Sequence, residues 1–189
     1  MNHYAEGYEV PPCSIADLRR MSALIRKMFG LDPNKAFPIA HFIEYALDSL
    51  YDDFRLEICT RAELREKHGE TFPGRHLIRL REDVYDGMYH GNGQDIFTAT
   101  HECSHLLKHE KVPVSMARRR AENLPLYRNS EWQADTLAAE LLMPYEVAKD
   151  LQPHEIQERY LVSTSAAQTR YDKLRKEAMR MGAPKKRSA

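Results

Sequence analysis

The sequence predicts an α+β fold, mainly helical, with a small and mostly antiparallel β-sheet. Three observations carry this. Apolar residues recur at helical spacing through most of the chain. Two short segments, 54–60 and 75–82, alternate apolar and polar residues instead. No internal repeat or low-complexity linker divides the 189 residues, a length that suits one domain.

Residues 1–13 read as irregular, with Pro11–Pro12 as a boundary. Ser14, with Asp17 three residues on, caps a first helix whose apolar face is Leu18, Met21, Ile25 and Met28. Gly30 and Pro33 stop it. A second helix is expected from Pro38 to about Tyr51, with Ile39, Phe42, Ile43, Ala46 and Leu50 on one face. "FRLEICT" (54–60) reads as a half-buried strand through Phe54, Leu56 and Ile58, and Thr60 with Glu63 as the capping box of a short helix. "RHLIRLRE" (75–82) is another strand and "DVYDGMY" (83–89) is read as a third, before "HGNG" turns the chain. A helix over 94–109 follows, then a polar, basic connection over 110–129 with three arginines at 118–120. Ser130 is read as the cap of a helix to about Met143, with Gln133 completing a box and Pro144 closing it. Helices near 153–160 and 164–180 complete the domain, the last capped by Ser163. The domain thus runs over 14–180, its C-terminal helical part beginning near 150. Residues 181–189 form a basic tail expected to be disordered.

Composition removes several functions. Lys plus Arg number 28 and Asp plus Glu 28, so bulk charge does not recommend a polyanion such as nucleic acid as partner. No apolar run is long enough to span a membrane, and the N-terminus lacks the basic-then-apolar pattern of a signal peptide. Cys13, Cys59 and Cys103 are odd in number, far apart and without a C-x-x-C pair. That excludes a disulfide framework and a thiolate zinc ribbon, and points to a reducing, cytoplasmic compartment.

The chemistry lies in "FTATHECSHLLKHEK" (97–111). On a helix, His101 and His105 share a face one turn apart, as two imidazole ligands of one zinc ion require. Glu102 lies about 100° around the helix from His101, where a general base can take a proton from the attacking water. His109 cannot join them: eight residues place it about 12 Å along the axis from His101, against metal–nitrogen bonds of about 2 Å. It reads instead as a last-turn histidine at the negative end of the helix dipole. Lys108 and Lys111 stand where a metzincin has glycine and histidine, which excludes that class.

A third ligand must come from elsewhere. "SEWQADTLAAELLMP" (130–144) offers Glu131 and Asp135, again one helical turn apart. One carboxylate can ligate while the other holds the free ring nitrogen of a ligating histidine. Three protein ligands leave a fourth position open, the mark of a catalytic zinc site. Cys103, inside the motif, reads as a small buried apolar residue rather than a redox sensor.

These residues carry a family resemblance. "FTATHECSHLLKH" followed by "SEWQADTLAAELLMP" resembles the ImmA/IrrE family of zinc metallo-endopeptidases, most closely over 96–144. The lead-in "HLIRLREDVYDGMYHGNGQDIFTAT" and the later "RYLVSTSAAQTRYDKL" extend the similarity to roughly 14–177. The resemblance implies a zincin-like, gluzincin-type metalloprotease domain. It implies one zinc ion on His101, His105 and Glu131, with Glu102 as catalytic base. Relatives of this kind cut helix-turn-helix transcriptional repressors of the XRE type, and so switch on prophage, mobile-element or stress genes. Cys103–Ser104 departs from the family's bulky-residue–glycine pair. No stretch matches the N-terminal helix-turn-helix domain of longer members, which implies a separate repressor as partner.

An oxyanion donor is also needed, with Tyr127, Tyr171 and Arg170 as candidates. The strand over 75–82 is a candidate for holding an extended substrate by edge pairing. Two other classes of function fit less of the sequence. One is an inactive zincin-fold regulator that holds a repressor or antitoxin. The other is a DNA-binding module using "LVSTSAAQTRYDKLRK" (161–176).

Overall fold

The structure is a computed structural model that describes residues 7–112 and 124–182. The arginines at 118–120 and the tail at 183–189 lie outside the described residues. Nine α-helical elements and three strands, besides 3-10 turns at Pro73–Arg75 and Leu126–Arg128, follow in the order α1 (Ile15–Met28), α2 (Ile39–Leu50), β1 (Arg55–Cys59), α3 (Arg61–Leu64), β2 (Gly69–Phe72), β3 (Leu77–Arg81), α4 (Glu82–Tyr89), α5 (Gly93–His109), α6 (Ser130–Leu142), α7 (Tyr145–Ala148), α8 (Pro153–Tyr160) and α9 (Thr164–Gly182) among the described residues. Here α2 joins Ile39–His41, Phe42–Ala46 and Leu47–Leu50 into one helix with a π-turn at its middle.

Ser14 caps α1 as expected: its Oγ accepts the Asp17 N–H and the Asp17 carboxylate accepts the Ser14 N–H. Leu18 and Ile25 are buried, whereas Met28, the last residue of the helix, is 62% exposed. In α2 the buried face runs Ile39, Phe42, Ile43, Ala46 and Leu47, and Leu50 projects beyond the core in the final turn. Thr60 and Glu63 form the expected capping box of α3.

The sheet has the order β1–β3–β2 and is mixed: β2 pairs antiparallel with β3, while β1 pairs parallel with it. The intervening β2 and α3 let the chain return to β3 in the direction of β1. β3 is therefore the central strand, with Leu77, Ile78 and Leu80 buried. It has no free edge, so the expected edge pairing of substrate at 75–82 does not hold. In β1 the alternation fails at Ile58, which is 45% exposed while Cys59 is buried.

The third strand is Gly69–Phe72, not 83–89. "DVYDGMY" is part of helix α4 because Val84 and Met88, one turn apart, both enter the core, and Glu82 and Asp83 favour its N-terminal dipole end. The cap of α6 is Asn129, one residue before the expected Ser130: its side chain accepts the Trp132 N–H. Ser130 instead accepts the Tyr8 N–H through Oγ, at 3.0 Å. That contact belongs to a strap formed by residues 7–13, which lies along 127–130 through Val10 N–H to Arg128 O, Cys13 N–H to Tyr127 O and Ser130 N–H to Tyr8 O. Residues 7–13 are thus irregular in secondary structure but tied to the start of α6. Ser163 caps α9 by accepting the Ala166 N–H.

α5 and α6 pack together through the core that contains Leu106, Leu137 and Leu141, with α1 on α6 and α4 on α5. Gly93 begins α5 where a Cβ would stand 2.3 Å from the Ser163 nitrogen and 2.5 Å from the Val162 carbonyl carbon. Only glycine lets the start of α5 sit against the α8–α9 link.

A buried ionic staple closes the helical layer. Glu140 of α6 accepts both guanidinium arms of Arg170 from α9, at 2.9 and 2.7 Å, and the Arg19 Nε of α1 at 2.9 Å. Arg170 also donates to the Met143 carbonyl, and Arg19 reaches on to Glu177. No described helix is long and apolar enough to cross a membrane.

Candidate metal centre

Two capped helices present their polar pairs to one point. α5 contributes His101 and His105, whose rings lie edge to face with centroids 4.7 Å apart. α6 contributes Glu131 in its first turn and Asp135 one turn later. His101 Nε2 is 3.0 Å from His105 Nε2. Glu131 spans both, its carboxylate oxygens 3.3 Å from His101 Nε2 and 3.4 Å from His105 Nε2.

These donor atoms all lie within 4.8 Å of one another, so the three residues could hold a metal ion. Tetrahedral bonds of about 2.0–2.1 Å place neighbouring ligand atoms about 3.3 Å apart. The nitrogen–nitrogen spacing of 3.0 Å, and the spacings of 3.3 and 3.4 Å from each ring to its own Glu131 carboxylate oxygen, are close to that edge length. Two imidazole nitrogens and one carboxylate oxygen are a donor set that zinc accepts. The residues fit the ion.

Both histidines are held from behind. Asp135 Oδ1 lies 2.8 Å from His101 Nδ1, on the ring nitrogen that does not face Glu131. Behind His105 stands His109, Nδ1 to Nδ1 at 3.2 Å, and behind His109 stands Gln133, its Oε1 3.3 Å from His109 Nε2. His109 is thus absent from the donor group, as helical rise requires, yet it touches one of the donors. It does not serve the helix end as a cation. Burial, then the neighbouring His105 and Lys108, push it down to about 3, so it is neutral.

Electrostatics mark the centre as a site that wants a cation. Burial disfavours charge on His101, but the carboxylates of Asp135 and Glu131 outweigh it and raise His101 to about 10. Burial likewise works against the Glu131 anion, and the hydrogen bonds from His101 and His105 overcome it, holding the carboxyl far below its ordinary range. The tightly paired His101 imidazolium and Glu131 carboxylate occupy the protonation states that a bound cation would replace.

Glu102, on the same turn of α5, lines the cleft beside these groups and is mostly buried. Thr71 of β2 donates its hydroxyl to Glu102 Oε2 at 2.7 Å, a contact no sequence pattern announced. Gly69 on the same strand makes room for it: a Cβ there would lie 2.8 Å from Glu102 Cγ. The cleft encloses about 1200 Å³ between β2, the face of α5 and the first turns of α9. Tyr8, from the strap, lines it next to Glu131, and burial followed by that carboxylate pushes its phenol up to about 12.

Of the proposed oxyanion donors, Tyr127 and Tyr171 are not among the cleft-lining residues, and Arg170 has its guanidinium on Glu140 and Met143. The start of α9, considered above for DNA contact, faces the cleft through Ser163, Ser165, Thr169 and the mostly buried Arg170, while Ala167 and Leu174 point into the core. Cys103 is fully buried, and burial pushes its thiol well above the usual range, which suits an inert packing residue.

A family model, the IrrE N-terminal-like domain of peptidases, matches residues 60–172. It covers well over half of the chain, from the end of β1 into α9, and so includes His101, Glu102, His105, Glu131 and Asp135. No curated protein matches the chain.

Proposed function

From the chain's membership of the IrrE N-terminal-like peptidase family, which makes it a metallopeptidase-type domain, we propose that it is a zinc-dependent endopeptidase. The observation that carries this reading is the donor group His101, His105 and Glu131 beside a carboxylate, Glu102, in an open cleft. One zinc ion is assigned to the three donors, with Glu102 as general acid–base and Asp135 as the group that orients His101. Zinc held there would polarise a scissile carbonyl and make water nucleophilic at neutral pH.

The chain's own residues do the rest. Glu131 would bring its negative charge to two imidazoles made neutral by the ion, and three protein donors would leave one further position for water. Thr71 holds Glu102 by one oxygen, so the carboxylate has a fixed rotamer and its other oxygen is available to water. Glu102 takes a proton from the attacking water and delivers it to the leaving amine, which conserves the proton across the cycle. Tyr8 replaces Tyr127, Tyr171 and Arg170 as the candidate donor to the developing oxyanion, because it is the tyrosine that lines the cleft and the Arg170 guanidinium is taken by Glu140 and Met143. β2, an edge strand beside the site, takes the substrate-holding role first assigned to 75–82.

The proposed substrate is a helix-turn-helix transcriptional repressor, cleaved to release the genes it silences. This rests on the sequence resemblance at 96–144 and on the open form of the cleft. The test compares wild type with Glu102→Gln on repressors encoded beside the gene. Wild type should carry stoichiometric zinc and cut a repressor that the variant spares. Stoichiometric zinc in the wild type with no cleavage that Glu102→Gln abolishes would overturn the protease reading and leave a binding regulator.

A further inference from the structure

With both imidazoles neutral, the hydrogen-bond chain behind His105 has one consistent set of proton positions. It starts at Gln133, whose Nε2 lies 2.8 Å from the Pro11 carbonyl and 2.8 Å from the Tyr127 carbonyl. Two carbonyl oxygens can only be met by a donor, so the amide NH2 is spent on them and its orientation is settled. Gln133 Oε1 is then an acceptor, and the His109 Nε2 facing it at 3.3 Å must carry the hydrogen. A neutral imidazole has one N–H, so His109 Nδ1 bears a lone pair. The His105 Nδ1 opposite it, at 3.2 Å, must therefore donate. That leaves the lone pair of His105 on Nε2, the atom beside His101 Nε2 and Glu131.

We propose that His109 is a positioning residue for the metal centre: anchored by Gln133, it locks His105 in the Nδ1–H tautomer and aims its Nε2 lone pair at the metal position. The inference rests on the zinc reading above and extends it to a residue outside the donor group. His109 does for His105 what Asp135 does for His101, with a neutral acceptor in place of a carboxylate. The choice of a neutral group follows from charge. Glu131 and Asp135 already place two carboxylates at the histidine pair, and Glu102 adds a third beside it. A fourth anion behind His105 would be buried beside three negative charges already there. His109 is 2% exposed, its ring edge-on to Tyr8, so water cannot substitute for Gln133.

The chain also gives the strap over 7–13 a part in the centre. The Pro11 carbonyl is one of the two anchors of Gln133, and the strap itself is pinned along 127–130. The tautomer of His105 is thus set by two backbone carbonyls three hydrogen bonds away, those of Pro11 and Tyr127.

Two readouts test this. In metal-free wild-type protein, nitrogen chemical shifts of the His105 ring should report a protonated Nδ1 and a bare Nε2. A ring protonated on Nε2 alone would overturn the proposal, whether or not the protein binds zinc. Zinc affinity, measured by competition with a chromophoric chelator, should fall about 10- to 100-fold in His109→Leu, the range seen when such outer partners are lost. His109→Asn, whose Oδ1 can stand near the lost Nδ1 acceptor, should recover most of it. Equal affinity in a folded His109→Leu and wild type would exclude the role, as would equal losses in the Leu and Asn variants. Failure of the zinc reading looks different: wild type itself would bind no zinc.

Discussion

Asp135 Oδ1 lies 2.8 Å from His101 Nδ1, while the opposite nitrogen of the same ring faces Glu131 at 3.3 Å. The two carboxylates thus hold one imidazole by its two ends and fix which nitrogen faces Glu131 and His105. Removing the outer one leaves the donor atoms in place but lets the ring turn. Asp135→Ala should therefore weaken zinc binding about 10- to 100-fold with little change in the fold. Asp135→Asn, which keeps an acceptor oxygen, should lose less. Metal competition assays on the two variants measure this, and unaltered affinity in Asp135→Ala would show that Asp135 holds nothing.

The same pairing sets a pH dependence. Burial alone would lower the pKa of the His101 imidazolium, but Asp135 and Glu131 raise it to about 10 from an ordinary 6.5. The raised value means that the metal-free protein gains stability from this group fully below pH 6.5 and loses it as pH climbs toward 10. Zinc needs the neutral ring, so it must displace a proton throughout that window. Zinc affinity should accordingly rise with pH, approaching tenfold per unit between about pH 7 and 9. Calorimetry in buffers of different ionisation heat should find about one proton released per zinc bound. Binding heat that does not vary with the buffer contradicts this.

What could be read in the sequence was what is local. Pairs one helical turn apart placed His101 with His105 and Glu131 with Asp135, because the α-helix itself sets that spacing. The capping boxes at Ser14 and Thr60 are local in the same sense. Failures lie where a distant contact decides. Ser130 and Asn129 are both good caps, and Asn129 takes the role while Ser130 meets Tyr8, 122 residues away. "GETF" (69–72) shows no apolar alternation, and it is a strand because β3 pairs with it and α5 packs on it. Thr71 and Gly69 enter the site only through that strand. Arg170 read as a free donor, but Glu140, 30 residues earlier, holds it.

Thr71 and Gly69 yield a prediction that separates catalysis from metal binding. Thr71 donates to Glu102 Oε2 at 2.7 Å and Gly69 leaves 2.8 Å between a notional Cβ and Glu102 Cγ. Neither touches His101, His105 or Glu131 in the described contacts. Thr71→Val removes a hydrogen bond to a charged group, worth about 1.5–3 kcal/mol, so kcat should fall about 10- to 100-fold. Gly69→Ala should displace Glu102 and lower kcat as well. Zinc content should stay stoichiometric in both. If kcat is unchanged in Thr71→Val, the hydroxyl does not orient the base.

Tyr8 makes a further distinction of the same kind. It lines the cleft from the N-terminal strap, with Glu131 as a charged neighbour that helps keep its phenol protonated. A protonated phenol is what donation to an oxyanion requires. Tyr8→Phe keeps the ring against His109 and deletes only the hydroxyl. Loss of one such donor costs about 10²-fold in kcat. KM and zinc content should change little, and kcat within a factor of two of wild type would exclude Tyr8.

Glu140 predicts where the fold is most fragile. It is 1% exposed and takes hydrogen bonds from Arg170 and Arg19, so it joins α6, α9 and α1. Glu140→Ala leaves Arg170, 5% exposed, as a buried cation with only the Met143 carbonyl for company. Breaking one half of a buried ion pair costs about 3–5 kcal/mol, enough to lower the melting temperature of a domain this size by roughly 10 °C. Removing both charges is a different experiment. Arg170→Met with Glu140→Leu takes away the desolvation cost along with the pairing, so the double variant should recover much of what Glu140→Ala loses. Arg19 does not stand in the way, because it keeps Glu177 at 2.8 Å. Thermal melts of the metal-free single and double variants decide the point. A double variant as unstable as Glu140→Ala would mean that the geometry of the staple, rather than an unpaired charge, holds the three helices together.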